Sequence, residues 1–197
     1  GARTAVSLTD VSRESTTRGA TLTLPNLGEA AKTVDVWLER SKNSPRRTMK
    51  NNSLFRVHHG SGNEPARLVL LEGKEVAVGD HALAQFRFEH PVYVLAGDRL
   101  VIRDWSETVT LAGCLVIDPQ SRRRGFRAEA QRELLVRCTT SSRPAVWMSA
   151  FLKRDGAVKR DELLRQSRFG ERDMESALES DEDVLALGDW VVDAERW

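Results

Sequence analysis

The stretch HALAQFRFEHPVYVLAGDRLVIRDWSETVTLAGCLVIDP, residues 81–119, decides the fold of this chain. Its first nine residues alternate between apolar and polar side chains, with Leu83 the one exception, and this period of two indicates a strand with one buried face. Pro91 interrupts the run, because proline cannot donate to a strand ladder. A glycine turn at 96–98 then leads through two further strands to a stop at 118–119. The pattern predicts a meander of consecutive strands that must close or be covered, since open edges invite aggregation.

Upstream of that stretch the same alternation predicts more strands. Three of them are 33–39, 54–58 and 67–71. The segment HGSGNEP, which joins the last two, contains the Gly, Asn and Pro of a turn or bulge. With the meander, these strands suffice for a small closed barrel. Two more alternating runs, at 3–8 and 20–24, cannot form a stable barrel alone.

Beyond residue 119 the period changes to that of helices. A basic linker, QSRRRGF at 120–126, precedes the change. Apolar spacing and the positions of Pro and Gly predict helices at 128–138, 144–155, 158–169 and 171–181, and a hairpin of strands at 184–187 and 190–192. The last three helices and the hairpin indicate a winged helix-turn-helix. The fold class is therefore mainly β plus α, a closed antiparallel β-barrel followed by a winged helix.

Composition and missing motifs limit the possible functions. The 197 residues carry a formal net charge of +1, so any basic surface for nucleic acid must be local. We expect no signal peptide, no membrane partner and a cytoplasmic location, with Cys114 and Cys138 as reduced thiols. The sequence has no GxxxxGK[ST] phosphate loop, HExxH, nucleophile elbow or CxxC. We therefore expect neither catalysis nor a bound metal or cofactor in this part of a protein.

Three motifs, in order along the chain, resemble one known family. The run AGDRLVIRDWSETVTLAGCLVIDP, 96–119, is similar to GDRFVLRxxSxxxTIGGGxVLDP of the selenocysteine-specific elongation factors, which are elongation-factor-Tu-like translation factors. FRVHHGSGNEPARLVLLEG, 55–73, resembles that family's histidine-and-glycine strand pair. QFRFEHPVYVLAGDR, 85–99, resembles its QLRLExPVxxxxGDR run. This chain departs from the pattern at 112–114, where Ala-Gly-Cys replaces three glycines, which argues against a close backbone approach there.

The resemblance implies a domain organisation. Residues 1–30 would be the C-terminal remnant of a second β-barrel domain, through the pattern GxRxAxxLxxVxRxxxxRGxxL, although an N-terminal hairpin packed on the next domain stays open. Residues 31–119 would be the third β-barrel domain, 120–142 a basic linker and helix, and 143–197 the first winged helix. The GTPase domain, with its GTP and Mg, would lie upstream. The modules that bind the mRNA hairpin would lie downstream.

The resemblance also implies a role. The whole protein would deliver selenocysteinyl-tRNA to the ribosome at UGA codons in a GTP-dependent way, and this part would contact the tRNA and link it to the mRNA-binding tail. Three alternatives stay open. They are a paralogous translation factor without selenocysteine specificity, a winged-helix nucleic-acid-binding regulator, and a purely structural linker.

The turn RDWSETVT, 103–110, is the main candidate for RNA contact, because the corresponding hairpin of the resembled family lies against the T stem of tRNA. Phosphate binding needs a cation, hydroxyls and exposed N–H groups. The candidates of these types are Arg103, Ser106, Thr108 and Thr110. We expect Trp105 to cap the barrel rather than to stack on a sugar. An ordinary solvated hairpin is the alternative.

The adjacent pair His58 and His59 is a second candidate. Neighbouring residues on a strand point to opposite faces, so the two rings cannot hold one metal without a bulge. The resemblance places them near the tRNA-facing edge and implies RNA contact. The alternative is one packed and one exposed ring. His81 and His90 have no recognisable partners, and we interpret them as structural.

Two arginine clusters suit a phosphate backbone, and one helix does not. The clusters are Arg46, Arg47 and Lys50 in a loop, and Arg122, Arg123 and Arg124 in the linker. Solvated connectors or ion pairs to a neighbouring domain remain the alternative. ERDMESALESDED, 171–183, carries seven acids and one base, which would repel a duplex. We expect the winged helix to be a spacer or a protein-contact unit.

Overall fold

The structure is a computed structural model that describes residues 5–12, 14, 16–45, 48–181 and 183–196. Its strands are β1 Ala31–Arg40, β2 Met49–Lys50, β3 Leu54–His59, β4 Gly62–Leu70, β5 Glu75–Val76, β6 His81–Val92, β7 Arg99–Arg103, β8 Thr110–Asp118, β9 Ala157–Lys159, β10 Val184–Leu187 and β11 Trp190–Asp193. Its helices are α1 Glu129–Thr140, α2 Pro144–Asp155 and α3 Glu171–Ser180.

Six strands close into an antiparallel barrel in the order β1-β6-β4-β3-β7-β8, and β8 pairs back onto β1. Alternation along β1 turns every second side chain inward. The inward residues of β1 are Val34, Val36 and Leu38, each 0% exposed. Ala112 and Cys114, which replace the family's outer glycines, also pack in the barrel core, so those positions hold side chains rather than a close backbone approach. The predicted closed antiparallel barrel is confirmed.

The meander predicted for residues 81–119 is wrong in its pairing. β7 and β8 form a hairpin, but β6 pairs with β1 and β4, so the β3–β4 hairpin lies between β6 and β7. β6 also continues through Pro91 to Val92 instead of ending at the proline. A register shift in the β1–β6 ladder between Ala31 and Thr33 accommodates the ring, since a bulge leaves backbone groups unpaired. Alternation in a sequence does not specify which strand is the neighbour.

One loop assignment also changes. The segment predicted as a turn, 59–65, is mostly strand, because β3 and β4 meet at a tight turn at 60–61 and β4 runs through Pro65. The proline is tolerated because its pairing with Arg56 lies beyond the last β4–β6 pair, so its missing N–H removes no bond to β6. Residues 94–95, between β6 and the glycine turn, lie past the end of β6.

The outer face of β1 and β6 is covered by helices instead of water. Trp37, Leu83 and Leu115 on that face pack into a second core with α1 and α2. Gln85, predicted to lie on a solvent-facing side of its strand, is 0% exposed. Leu83, the exception in the alternation, is thereby explained, because its side of β6 is also apolar.

A buried polar network joins the barrel to the helices. The Gln131 amide Nε2 of α1 donates to Asp35 Oδ2 at 2.9 Å and to Asp118 Oδ2 at 3.0 Å. Arg154 Nη1 of α2 donates to the same Asp118 oxygen at 2.6 Å. Burial raises the pKa of Asp35 to about 7, opposed by the hydrogen bond from Ser121 and reinforced by the charge of Asp118. One amide and one guanidinium thus hold two buried carboxylates between the two parts of the molecule.

The helical part contains α1, α2, α3 and the β10–β11 hairpin, as predicted. The helix predicted for 158–169 is wrong, because Ala157–Lys159 is strand β9, which pairs with β11 in a sheet of order β10-β11-β9. A two-stranded hairpin is marginal alone, and a third strand stabilises it. The following residues form a turn in which Leu164 has a φ of 50°. The arrangement is a winged helix in which this turn replaces one helix.

The same turn attaches the helical part to the barrel. The Ala96 N–H donates to the Gln166 carbonyl at 2.8 Å, and the Arg168 N–H donates to the Ala96 carbonyl at 2.9 Å. The side-chain amide of Gln166 also donates to the Val94 carbonyl at 2.7 Å. None of the helices in the described ranges is long and apolar enough to cross a bilayer.

The described part of the N-terminal segment is coil and turns, and residues between 18 and 27 contact the barrel. Its predicted strands at 3–8 and 20–24 are absent from the described part of the segment, and residues 3 and 4 lie outside that part. Arg18 Nε donates to the Ser61 carbonyl at 3.0 Å, and the Tyr93 hydroxyl donates to the Leu27 carbonyl at 2.6 Å. The assignment of this segment to a second barrel stays a prediction.

Candidate nucleic-acid interface

The turn between β7 and β8 is organised around Asp104, which is 4% exposed. Its Oδ1 accepts hydrogen bonds from the backbone N–H groups of Thr108 and Val109, both at 2.9 Å. Its Oδ2 accepts from the hydroxyls of Ser106 at 2.6 Å and Thr108 at 3.0 Å. These bonds, the one from Ser106 foremost, lower the pKa of Asp104 to about 2. Sequence reasoning missed this residue, although an Asp at the start of a polar turn is typical of side-chain capping of that turn.

Two of the predicted phosphate contacts therefore already have a partner. Because the hydroxyls of Ser106 and Thr108 direct their protons at Asp104, they present oxygen lone pairs outward, and these do not attract a phosphate. Thr110 lies elsewhere, exposed at the start of β8 and opposite Arg103 in the β7–β8 ladder. The cation and Thr110 are thus the predicted turn residues that remain available for an anion.

Trp105 does not cap the barrel, and that prediction is wrong. Its side chain is 55% exposed, because the turn held by Asp104 projects it outward. The guanidinium of Arg56, on β3, lies 4.7 Å from the centre of its ring. An exposed indole beside a cation is a suitable platform for a base or sugar. Arg56 was not predicted as a site residue, since a lone arginine in a strand has no distinguishing pattern.

Glu107 contacts three polar side chains around this turn. Its carboxylate lies 3.8 Å from Arg56 Nε and 3.4 Å from His58 Nε2, and it accepts from Asn63 Nδ2 at 3.1 and 3.2 Å. The residue has a φ of 56°, a left-handed conformation that turns the side chain back over β3 and β4. The structure thus brings His58 together with the predicted turn.

His59 lies apart from that cluster. Its Nε2 is 2.9 Å from Asp98 Oδ2, at the glycine turn that precedes β7. Burial opposes ionisation of Asp98, but hydrogen bonds from His59 and the Leu95 amide lower its pKa below the usual value. The two histidines therefore face different carboxylates. No group of three or more His, Cys, Asp and Glu side chains in the described ranges is placed to hold a metal ion.

The predicted linker arginines lie on another side of the barrel from the turn. Arg122, Arg123 and Arg124 are exposed, and none forms an ion pair with any residue that the structure describes. Arg46 and Arg47 lie outside the described residues. Lys50 is exposed on β2.

The acidic helix α3 is largely exposed. Its one buried residue is Ala177, and Glu182, which follows the helix, lies outside the described residues. The backbone N–H of Gly170 donates to Asp173 at 2.9 Å, which fixes the start of the helix. Its carboxylates stand where a duplex reader would need cations.

Comparisons with known proteins agree with this barrel. The family model described as selenocysteine-specific elongation factor, beta-barrel domain, matches residues 32–123. A selenocysteine-specific elongation factor of Haemophilus influenzae is 24% identical over 134 residues, which cover 68% of this chain and 21% of that protein. Those of Desulfomicrobium baculatum and Escherichia coli are 32% identical over 123 residues and 33% identical over 102 residues.

These two matches cover 62% and 52% of this chain, and 19% and 15% of the relatives. The chain thus spans about a fifth or less of the length of the relatives it matches. The matched segment coincides with the six-stranded barrel and the first residues of the linker. Residues 32–123 of this chain are thus similar to the β-barrel domain of selenocysteine-specific elongation factors.

Proposed function

We propose that this chain is part of a translation elongation factor that delivers selenocysteinyl-tRNA to the ribosome at UGA codons in a GTP-dependent way. The observation that carries the proposal is the match of residues 32–123 to the barrel domain of that family. Support from the surface comes from the exposed turn at 103–110, which the helical part leaves uncovered. We assign binding of the tRNA to this part of the protein and catalysis to another part.

The tRNA contact is proposed at the junction of β3, β7 and the turn. Arg103 is paired with Arg56 in the β3–β7 ladder, so both side chains leave the same outer face of the barrel. Each can bind a phosphate through two parallel N–H bonds. Trp105 offers a ring face to a neighbouring sugar or base. Glu107 occupies part of this cationic surface and gives way to the incoming phosphate.

The helical part is proposed as a rigid connection to the modules that bind the mRNA hairpin. The contacts of Gln131 and Arg154 with buried carboxylates fix its position on the barrel. The acidic α3 disfavours a nucleic acid as its own partner. The sequence has no phosphate loop, so no nucleotide step is assigned to the residues of this chain.

A filter-binding titration tests the proposal with three ligands: selenocysteinyl-tRNA, seryl-tRNA and duplex DNA. We expect selenocysteinyl-tRNA to bind most tightly, and the double variant Arg56→Gln, Arg103→Gln to weaken that binding. The same titration on a protein that contains this chain together with a GTPase domain supplies the reference affinity. Equal binding of both tRNAs would favour a factor without selenocysteine specificity. Tighter binding of DNA would favour a regulator, and binding of none a structural linker.

A further inference from the structure

A row of arginines crosses the outside of the barrel from the turn to the linker. We name it the arginine band, and its members are Arg103 on β7, Arg56 on β3, Arg67 on β4, Arg87 on β6, and Arg123 and Arg127 after β8. Each of four neighbouring strands supplies one of them. No run of arginines appears in the sequence of these strands, because the row is created by strand pairing.

The strand registers define the path of the band. Arg56 is paired with Arg103, and Arg67 is paired with Arg87. The two pairs are joined diagonally, since Arg56 is opposite Pro65 and Arg67 lies two residues further along β4. Diagonal neighbours are about 7–8 Å apart, which long side chains can span. The charges of Arg123 and Arg127 also act on Arg87, where burial and these charges lower its pKa, so the row continues into the linker.

Carboxylates act on two members of the band, Glu107 on Arg56 and the buried Asp35 on Arg87. Arg56 is its one member that forms an ion pair within the described part of the chain, at 3.8 Å from Glu107. Arg67 and Arg127 donate to backbone carbonyls at 2.6 and 3.2 Å, and Arg87 donates to Gln85 Oε1 at 2.9 Å. These hydrogen bonds orient the guanidinium groups without neutralising them.

The arginine pair nearest the turn, Arg56 and Arg103, lacks part of its hydrogen bonds. The buried Nε atoms of Arg56 and Arg103 have no hydrogen-bond partner among the residues described. Like charges placed directly opposite each other on a sheet are destabilising, and this barrel contains two such pairs in succession. A ligand with regularly spaced negative charges would relieve the like-charge repulsion in both pairs.

We propose that the arginine band is a track for the phosphate backbone of one RNA strand, which runs from the turn across β3, β4 and β6 to the linker. The proposal rests on the proposed function, because it takes RNA as the ligand, and it extends the contact well beyond the turn. Four strands at about 4.8 Å spacing already give a row about 14 Å long. One phosphate group would meet a single pair of arginines, whereas a polymer can follow the whole row.

The shape of the surface favours RNA over a lipid bilayer as the polyanion. The band curves around a closed barrel, and a flat membrane would touch only the part of it that stands highest. A nucleic-acid backbone can bend with the surface. Trp105 lies beside Arg56 at one end, where an unpaired base or a terminal sugar can stack on it.

The test uses arginines that do not touch the turn. The double variants Arg67→Gln, Arg87→Gln and Arg123→Gln, Arg127→Gln each remove two members of the band. Arg137→Gln, Arg160→Gln is the control, because it removes the same charge from exposed positions in the helical part. Far-ultraviolet circular dichroism and thermal melting confirm that each variant folds, and a variant that does not fold is replaced by its two single substitutions.

Binding is measured for unacylated tRNA and for a duplex RNA of unrelated sequence, at a series of salt concentrations. Each band variant should lower the slope of log Kd against log salt by about 1.8, since each lost phosphate contact contributes about 0.9. The control should retain the slope of the unmodified chain. Anionic phospholipid vesicles serve as the competing polyanion.

The outcomes separate the two proposals. If band variants keep the full slope while the chain still prefers selenocysteinyl-tRNA, the band is overturned and the proposed function stands. If the slope falls as expected but selenocysteinyl-tRNA and seryl-tRNA bind equally, the band stands and the proposed function fails. Binding of vesicles without binding of RNA overturns the band, and so does a control that loses as much slope as the band variants.

Discussion

Two outer faces of the same barrel differ in whether their polar side chains have partners within the protein. On the face under α1 and α2, Asp35 accepts hydrogen bonds from Ser121, Gln85 and Gln131. On the face of the arginine band, one of the six guanidinium groups has a carboxylate partner among the described residues. A covered face must satisfy its polar groups within the protein, and an uncovered one can leave them to water or a ligand. Incomplete satisfaction therefore marks the face with a capacity to bind.

Removal of one arginine from each face gives the largest expected contrast. Arg154→Met leaves Asp118 buried without its cation and should lower the free energy of unfolding by about 3 kcal/mol. Arg67→Met removes an exposed arginine of the arginine band and should change it by less than about 0.5 kcal/mol. Urea unfolding of both variants measures the difference. Equal losses would show that the two faces do not differ in the way described.

The pH dependence of stability should come from the covered face. Asp35 has a pKa raised from 3.8 to about 7 in the folded protein, so between these values the folded state binds more protons than the unfolded state. Stability should therefore fall as pH rises through this window, by at most about 1.4 kcal/mol per pH unit. Asp35→Asn should remove this slope, and Asp189→Asn, at an exposed turn, should keep it. Urea unfolding at pH 5 and pH 8 measures it, and a wild-type slope that survives Asp35→Asn would contradict the assignment.

On the uncovered face, Trp105→Ala should weaken tRNA binding by about 1–3 kcal/mol if the ring stacks on one base. The melting temperature should hardly change, because the ring is 55% exposed. Trp105→Phe should restore part of the affinity, since a smaller aromatic face remains. Fluorescence titration with tRNA measures the affinity. An unchanged Kd for Trp105→Ala would remove the ring from the interface.

The smallest expected effect is a gain. Glu107→Gln removes the carboxylate that lies near Arg56 and His58, so a phosphate should bind there with about a threefold higher affinity. Glu133→Gln, on the exposed side of α1, is the control of equal charge. Filter binding at low salt resolves the change. Weaker tRNA binding by Glu107→Gln would mean that this carboxylate organises the surface instead of competing for it.

Sequence alternation predicted the barrel because its strands bury one row of side chains. It predicted the strand at 33–39, whose inward residues are buried in the barrel core, since burial of alternate side chains follows a period of two. It did not specify that β8 pairs with β1 and closes the barrel. It could not show that Gln85 is buried, because a period of two does not indicate whether the outer face of the strand is covered by another element. The helix predicted for 158–169 failed for a related reason. Its apolar pair, Leu163 and Leu164, fits a turn as well as a helix.

The candidate site was predictable in part. The family resemblance pointed to the turn at 103–110, and the structure places Arg103, Thr110 and His58 around it. The role of Asp104 could have been predicted from its position at the start of the turn. The arginine band as a row could not be predicted, because its four members on strands are more than ten residues apart in sequence and only the strand registers bring them together.

The short parallel bridge between Ala96 and Ser167 has a mechanical consequence. Together with the buried carboxylates beneath α1, it fastens the helical part to the barrel at two separate points, which leaves no free pivot between them. A force applied at the β10–β11 hairpin would therefore be transmitted to the barrel and its turn at 103–110, and would not be absorbed by bending of a flexible linker. The distance between the hairpin and the barrel is thus set by the folded structure and not by the length of a flexible linker.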